Sequence, residues 1–373
     1  MDFTPAPTLC LSMIVRDEAH IIKRCLDSVK PFINRWVICD TGSVDDTCVL
    51  ARTALADLPG RVVHHPWQDF GHNRTLALQE ATKEGCDYIL VIDADEVLQV
   101  DDPLVFTTLV QDAYRVEMRF PTISYPRVNI MRSARDWRYV GVIHEYATCS
   151  PPAEEYLLDP EKIHMWTDGA GARGKSGTKV ERDVAVMEQS VIDEPNNPRY
   201  WFYLAQGYET TKQLDKAIET YAKRATMGDY IEEVWFSHYR MAQLCTLKGE
   251  WSAAILHYLD AYACQPNRAE PLYWLAIGYH NRQMDRMAML FLEQVVLLDK
   301  PVSALFVEPA VYDYLRWIHY TVCLYNLGER EEAALMARKT IEAGKAPKQY
   351  LAALERMASG EFMPAVSPTP VGV

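Results

Sequence analysis

A chain of 373 residues is longer than one hydrophobic core ordinarily serves, so two domains, or one domain with a large appendage, are expected. An apolar share of 49% and a charged share of 24% are those of a globular protein, and no apolar run approaches the roughly 18 residues that span a bilayer. The net charge of −13 argues against a general polyanion binder; nine scattered cysteines with no CxxC pair fit a reduced cytoplasmic setting better than a disulfide framework or a structural zinc.

The N-terminal stretch MDFTPAPTLC has no basic segment ahead of an apolar one, so no signal peptide is expected and a cytoplasmic location is. TLCLSMIV (8–15) reads as a strand and EAHIIKRCLDSV (18–29) as an amphipathic helix. RWVICD (35–40) and DDTCVLARTALADL (45–58) repeat the pair, as do RVVHH (61–65) and TLALQEATKEG (75–85), before YILVID (88–93) supplies a fourth strand. This alternation predicts βαβ units and a parallel sheet covered on both faces. Ligands of such sheets bind at the carboxyl ends of the strands, which puts Asp40 and the acids after residue 92 on one rim. Between 115 and 138 the chain carries Arg115, Arg119, Arg127, Arg132, Arg135 and Arg138 against only Glu117 and Asp136. These read either as surface, salt-bridging arginines or as groups facing a phosphate-bearing ligand.

From about residue 195 helix pairs take over. WFYLAQGY (201–208) precedes LDKAIETYAKRA (214–225), and FSHYRMAQL (236–244) precedes WSAAILHYLDAYACQPN (251–267). LYWLAIGY (272–279) precedes DRMAMLFLEQVVLLDKP (285–301), and IHYTVCLYNLG (318–328) precedes REEAALMARKTIEAG (330–344). In each pair a small or apolar residue of the first helix leads an alanine of the second by 12 positions: Ala205 and Ala217, Ala242 and Ala254, Ala276 and Ala288, Val322 and Ala334. Small residues at a fixed offset let two antiparallel helices approach closely, and the successive spacings of 37, 34 and 46 predict a solenoid of degenerate helix-pair repeats. Most of its aromatics, including Trp235, Tyr239 and Tyr273, recur at helical spacing and are expected in the core. The expected division is 1–190 for the α/β part, 191–360 for the helical repeats and 361–373 for a Pro-rich mobile tail.

The chemistry concentrates where YILVIDADEVLQV ends in Asp93, Asp95 and Glu96. Asp after a strand commonly caps the next helix. A hard divalent cation equally needs oxygen ligands converging from a rigid element, and magnesium or manganese so held completes its shell with substrate phosphates. Asp40 closes the second strand, ahead of a tight turn at Gly42 that Ser43 or Asp45 can cap, and could accept from a nucleobase N–H or a ribose hydroxyl. No GxGxxG follows the first strand, which argues against a dinucleotide fold.

The segments SMIVRDEAHIIKRCLDSV, VICDTGSVDDT, FGHNRTLAL and VIDADEV, in that order, resemble the motifs of family 2 glycosyltransferases of GT-A fold. YVGVIHEY (139–146) and DGAGARGKSGTKVERDV (168–184) resemble the subgroup that ends in tetratricopeptide helices, near the S-glycosyltransferases of bacteriocins. The resemblance implies an α/β GT-A domain followed by an all-α tetratricopeptide-like solenoid. It implies that Val15, Arg16 and Glu18 line the base pocket and that Asp40 bonds the base, with Ser43 and Asp45 nearby. Asn73 and Arg74 then approach the donor sugar and diphosphate, in the reverse of the order common in the family. Asp93 lies near the ribose, with Ala94 between it and Asp95 on a Mn2+ or Mg2+ ion. His144 adds a metal ligand or diphosphate contact, while Arg173 and Lys175 close over the diphosphate. Glu145, beside His144, is the candidate base that deprotonates the acceptor, and Glu96 is left as a helix cap or structural acid.

The expected function is therefore inverting, metal-dependent transfer of a sugar from a nucleotide sugar, of UDP type, to a peptide or protein. Modified, hydroxylated bases of DNA and saccharide or lipid-linked acceptors are the alternatives, as is a repeat scaffold with an inactive transferase domain. The helical repeats would bind the acceptor or pair two copies into a homodimer.

Overall fold

In the computed structural model, which describes residues 6–120, 124–167, 179–301 and 305–361, the chain divides into two units, Met1–Val186 and Met187–Val373. The first opens with β1 (Leu9–Val15), α1 (Ile22–Val29), β2 (Arg35–Asp40), α2 (Thr47–Ala54), β3 (Gly60–His64), α3 (Phe70–Thr82) and β4 (Tyr88–Val91). β1 is apolar except for buried Ser12, because both of its faces are covered. Leu9, Leu11 and Met13 pack on one side with Ile22, Cys25, Leu26 and Val29 of α1, while Cys10 faces Ala77, Leu78 and Ala81 of α3. The four α1 residues recur at i, i+3, i+4 and i+7, the stripe one helix face presents to a core. α3 starts five residues earlier than the sequence pattern suggests, because Asp69 caps it by accepting from the His72 N–H at 2.7 Å.

The unit continues through β5 (Glu96–Val100), β6 (Ala113–Arg119), β7 (Ser124–Arg132), β8 (Arg138–Val140), β9 (Tyr146–Thr148), β10 (Glu155–Leu157) and β11 (Ile163–Thr167). The main sheet runs β3-β2-β1-β4-β7-β6-β11-β5, with β10 added beside β6, and β8 pairs with β9 in a separate ribbon. It is parallel across β3-β2-β1-β4 and mixed beyond, since β7 is antiparallel to both β4 and β6, and β11 is antiparallel to β5. This departs from the all-parallel expectation, and chain length is the reason. Only four residues, 120–123, join β6 to β7, too few for the crossover that parallel neighbours require.

The same strands account for the arginine-rich stretch. In β6, Arg115, Glu117 and Arg119 alternate with buried Tyr114, Val116 and Met118, the period of two that marks one covered face. Among the described residues, five of the six arginines are ion-paired within this unit: Arg115 to Glu155, Arg119 to Glu117, Arg127 to Glu96, and both Arg132 and Arg135 to Asp112.

The second unit is helical. After α4 (Lys179–Asp193), which spans the division, come α5 (Pro198–Thr210), α6 (Leu214–Ala225), α7 (Ile231–Lys248), α8 (Trp251–Cys264), α9 (Glu270–His280) and α10 (Asp285–Val295). A longer connection leads to α11 (Arg316–Leu327), α12 (Arg330–Glu342) and α13 (Lys348–Ala358), the last not foreseen. Each helix from α5 to α13 packs on the next, as in a solenoid whose repeats touch only their neighbours. The eight small or apolar residues at the 12-residue offset are all buried, and so are Trp235, Tyr239 and Tyr273. The expected Pro-rich tail lies, apart from Glu361, outside the described residues. No helix among the described residues is long and apolar enough to cross a membrane.

One core group of this unit ties its stability to pH. His319 is buried, its Nδ1 within 3.0 Å of both the Leu315 carbonyl and the Tyr273 hydroxyl, and burial pulls its pKa from 6.5 down to about 4. The unfolded chain therefore takes up a proton at this residue below pH 6.5, while the folded chain does so only near pH 4. The stability it contributes is present above pH 6.5 and is lost as pH falls through that window, by up to about 3 kcal/mol at ~1.4 kcal/mol per pH unit. Urea denaturation at pH 7.5 and 4.5 should show this slope in the wild type and a shallower one in His319→Gln.

Candidate active site

The loops after β1 and β2 are sewn together by their own polar residues. The Asp17 N–H donates to Ser43 Oγ at 3.1 Å, and the Val44 N–H donates to Asp17 Oδ1 at 2.8 Å. The Ala19 N–H reaches Asp45 Oδ2 at 3.1 Å, and the Glu18 N–H reaches Thr47 Oγ1 at 2.8 Å. Asp17 adopts a left-handed φ of 57° to make this clasp. Ser43 and Asp45 thus join two loops at the carboxyl ends of adjacent strands. Val15 is buried at the end of β1, and its carbonyl accepts from Thr41, while Arg16 is exposed on the rim.

Asp40 is buried at the end of β2. Its carboxylate accepts from the backbone N–H groups of Gly42 (3.2 Å) and Ser43 (3.1 Å) and lies 3.0 Å from His64 Nδ1. Burial works against its charge, but the bonds from Ser43, His64 and Gly42 prevail and hold it below the usual carboxylate range. The strand end therefore presents a fixed anion.

The exit of β4 carries the densest cluster. Arg74, on the first turns of α3, is buried; its Nη2 meets Asp93 at 2.7 and 2.9 Å, and its Nε meets Glu145 at 2.6 Å. Arg127 of β7 donates to Glu96 at 2.7 Å and lies 3.6 Å from Asp93. Glu96 also accepts the Asp93 N–H at 2.9 Å. Burial opposes the charge of Asp93, but Arg74 and Arg127 pull it below the usual range. For Glu96 burial dominates over Arg127 and the pKa rises. Glu96 opens a strand, so of the two roles expected for it the structural one holds and the helix cap does not.

A glycine contact brings Glu145 to this cluster. A Cβ on Gly71 would lie 2.4 Å from the Gly141 carbonyl, so only glycine lets α3 approach the 139–142 segment. There the Phe70 N–H bonds the Val142 carbonyl, Thr75 Oγ1 receives the Tyr139 N–H at 2.9 Å, and the Tyr139 ring lies under the Arg74 guanidinium. Burial pushes the Tyr139 hydroxyl up to about 12. Gly71→Ala is expected to destabilise the first unit by about 1–3 kcal/mol and to pull Glu145 away from Arg74. Thermal denaturation and Glu145-dependent turnover check the two effects.

The remaining expected residues sort clearly. Asn73 is buried, with its amide donating to the Pro66 carbonyl (3.0 Å) and accepting the Gln68 N–H (2.9 Å), so it shapes the loop before α3. Asp95 is half-buried, and its carbonyl receives Arg24 at 3.3 Å; buried Ala94 separates it from Asp93. His144 is exposed, with a left-handed φ of 53°. Arg173 and Lys175 lie outside the described residues. Arg127 was expected only as a member of the arginine-rich stretch, and Tyr139 was not expected at the site.

Residues 10–143 match the model described as Glycosyl transferase family 2. This stretch is a family 2 glycosyltransferase domain. The family 2 domain supplies every residue of the cluster except Glu145, which follows just beyond it. The chain is 38% identical over 170 residues to a TPR repeat-containing protein of Synechococcus elongatus, covering 42% of this chain and 39% of that protein. It is 26% identical over 264 residues to the SPbeta prophage-derived glycosyltransferase SunS of Bacillus subtilis, covering 65% of this chain and 58% of that one. The chain thus spans less than two thirds of either relative. Among solved structures, MamA aligns at 18% identity and a TM-score of 0.38, over 46% of this chain and 94% of that one.

Asp93 and Asp95 leave one strand end together, and Asp93, Glu96 and Glu145 pair with Arg74 or Arg127.

Proposed function

We propose that the chain is an inverting glycosyltransferase that moves a sugar from a nucleotide sugar of UDP type to a peptide or protein. The observation that carries this reading is Arg74, which in a family 2 domain holds Asp93 and Glu145 on one guanidinium at the carboxyl end of β4. The printed name of SunS, a glycosyltransferase, agrees with the reaction class.

In this reading the clasped loops around Asp40 receive the base, with Asp40 accepting from it, and Arg16 and Glu18 border that pocket. Asp95, with help from Asp93 and His144, would hold Mn2+ or Mg2+, which supplies neutralisation of the departing diphosphate. Arg74 orients Glu145, which takes the proton from the acceptor as the acceptor atom bonds the anomeric carbon. The bond from that carbon to the nucleoside diphosphate breaks, and one displacement inverts the centre. The helix-pair unit is the natural holder of an extended acceptor, because such solenoids expose a continuous concave surface. The ion pairs of the arginine-rich stretch favour this acceptor over DNA, since five of its six cations are already matched by acids of the same unit.

The test is a donor screen by nucleotide release with and without Mn2+ or Mg2+, followed by mass-shift analysis of candidate peptides. Turnover of a nucleotide sugar and a hexose-sized mass gain on a peptide support the reading. Lack of turnover with every donor and metal would leave a binding scaffold as the better account.

A further inference from the structure

The helix pair α7–α8 carries a group of side chains that sugar transfer does not use. His238 projects from α7, while His257 and Asp260 stand three residues apart on one face of α8. Their ligand atoms all lie within 4.8 Å of one another. His238 Nδ1 is 3.8 Å and His257 Nδ1 is 3.9 Å from the same oxygen, Asp260 Oδ2. The two rings face the acid from different helices, with centroids 6.4 Å apart and planes inclined at 36°.

Two imidazoles beside a carboxylate ordinarily settle into hydrogen bonds. Here neither occurs: both Nδ1 atoms are buried from water and, among the described residues, have no hydrogen-bond partner. The separations are too long for a hydrogen bond, yet close to what one shared ion requires. In a tetrahedral site with bonds of about 2.0–2.1 Å, ligand atoms stand roughly 3.3–3.4 Å apart, so each histidine need close on Asp260 by only about half an ångström. Burial lowers the pKa of both histidines, which favours the neutral imidazole that ligates. Asp260 is 57% exposed and opens the group to solvent on one side, leaving room for entry and for water ligands.

We propose that His238, His257 and Asp260 form a binding site for a divalent transition-metal ion of zinc type, which cross-links α7 to α8. Two nitrogens and one carboxylate select such an ion over Mg2+, which prefers an all-oxygen shell. A second group, His280, Asp285 and Cys323, makes a useful contrast. Its His280 Nδ1 already bonds Asp285, and the Cys323 thiol lies 3.5 Å from the same carboxylate, so the Nδ1, the thiol and the carboxylate are spent on one another.

The test uses the full chain, titrated with Zn2+ by calorimetry in saturating Mg2+, which occupies hard oxygen sites. One equivalent of Zn2+ is expected to bind the wild type and Cys323→Ser alike. His238→Gln and His257→Gln should each weaken it at least 30-fold, and Asp260→Asn about 10-fold. Far-UV circular dichroism of the metal-free variants checks their fold. Cobalt replacement on the wild type answers the question even if a variant misfolds: the site predicts visible ligand-field bands without sulfur-to-cobalt charge transfer. No zinc bound by the wild type, an unchanged equivalent in the double histidine variant, or a sulfur charge-transfer band would each overturn the proposal. Because the readout is binding, it is independent of whether the chain transfers sugar.

Discussion

Replacing Arg74 by methionine is expected to lower the stability of the first unit by about 3–5 kcal/mol, and to reduce donor turnover by a factor on the order of 10³. The stability loss follows from what stays behind. Methionine keeps most of the volume of the stem, but Asp93 and Glu145 remain at 26% and 13% side-chain exposure without the guanidinium that held both. A drop of this size lowers the thermal midpoint of a unit this large by roughly 10 °C. Arg74→Lys separates charge from geometry, because an ammonium is a point charge that cannot reach two carboxylates as a planar fork does. It should recover part of the stability and little of the turnover. The acid limb provides a further check. The pKa of Asp93 is lowered in the folded chain, so its contribution is present above the ordinary value of 3.8 and is lost as pH falls through the folded value. That loss should be prominent in the wild type and reduced in Arg74→Met. Equal stability of the two proteins at pH 7 would refute the cluster as described.

The parts of this molecule that were legible in the sequence are those governed by local rules. Largely apolar runs in β1, β2 and β4 mark strands covered on both faces, and the small or apolar residues paired with alanines mark helices that must approach closely. The second half of the sheet was less visible. Its strands β8, β9 and β10 are three residues long, too short for a period to show, and Arg115 and Arg119 drew attention as charge when they lie on one face of the alternating strand β6. The site divides in the same way. Asp40 and Asp93 could be picked out because each sits at a strand end that the pattern predicts, whereas Arg74 entered only through the resemblance carried by FGHNRTLAL. Arg127 could not be assigned to the cluster, because its place beside Glu96 depends on β7 pairing antiparallel with β4, a long-range choice that no local pattern records. Asn73 shows the converse: its position is right for a ligand contact, but its amide is committed to the backbone of residues 66 and 68.

Asp95→Asn is expected to reduce metal-dependent donor turnover by a factor on the order of 10²–10³. The contrast with Asp93 is the basis. Both acids leave the same strand end, yet the ion pairs of Arg74 and Arg127 run to Asp93, Glu96 and Glu145, which makes Asp93 a member of the structural cluster. Asp95, half-buried beside it, would in this reading hold the ion and through it the diphosphate. Asparagine keeps the shape and one oxygen but removes the charge that a hard cation needs. The variant should therefore require a higher Mn2+ concentration for half-maximal turnover and lose its maximum rate as well. Glu96→Gln is the control: it removes the charge opposite Arg127 and leaves one amide oxygen where the Asp93 N–H and Arg127 both donate to the carboxylate, so its effect should fall on stability first. Calorimetric unfolding beside manganese titration of nucleotide release measures both. If Asp95→Asn turned over donor as the wild type does, the ion would have to be held elsewhere, and the assignment of roles within the two aspartates would fail.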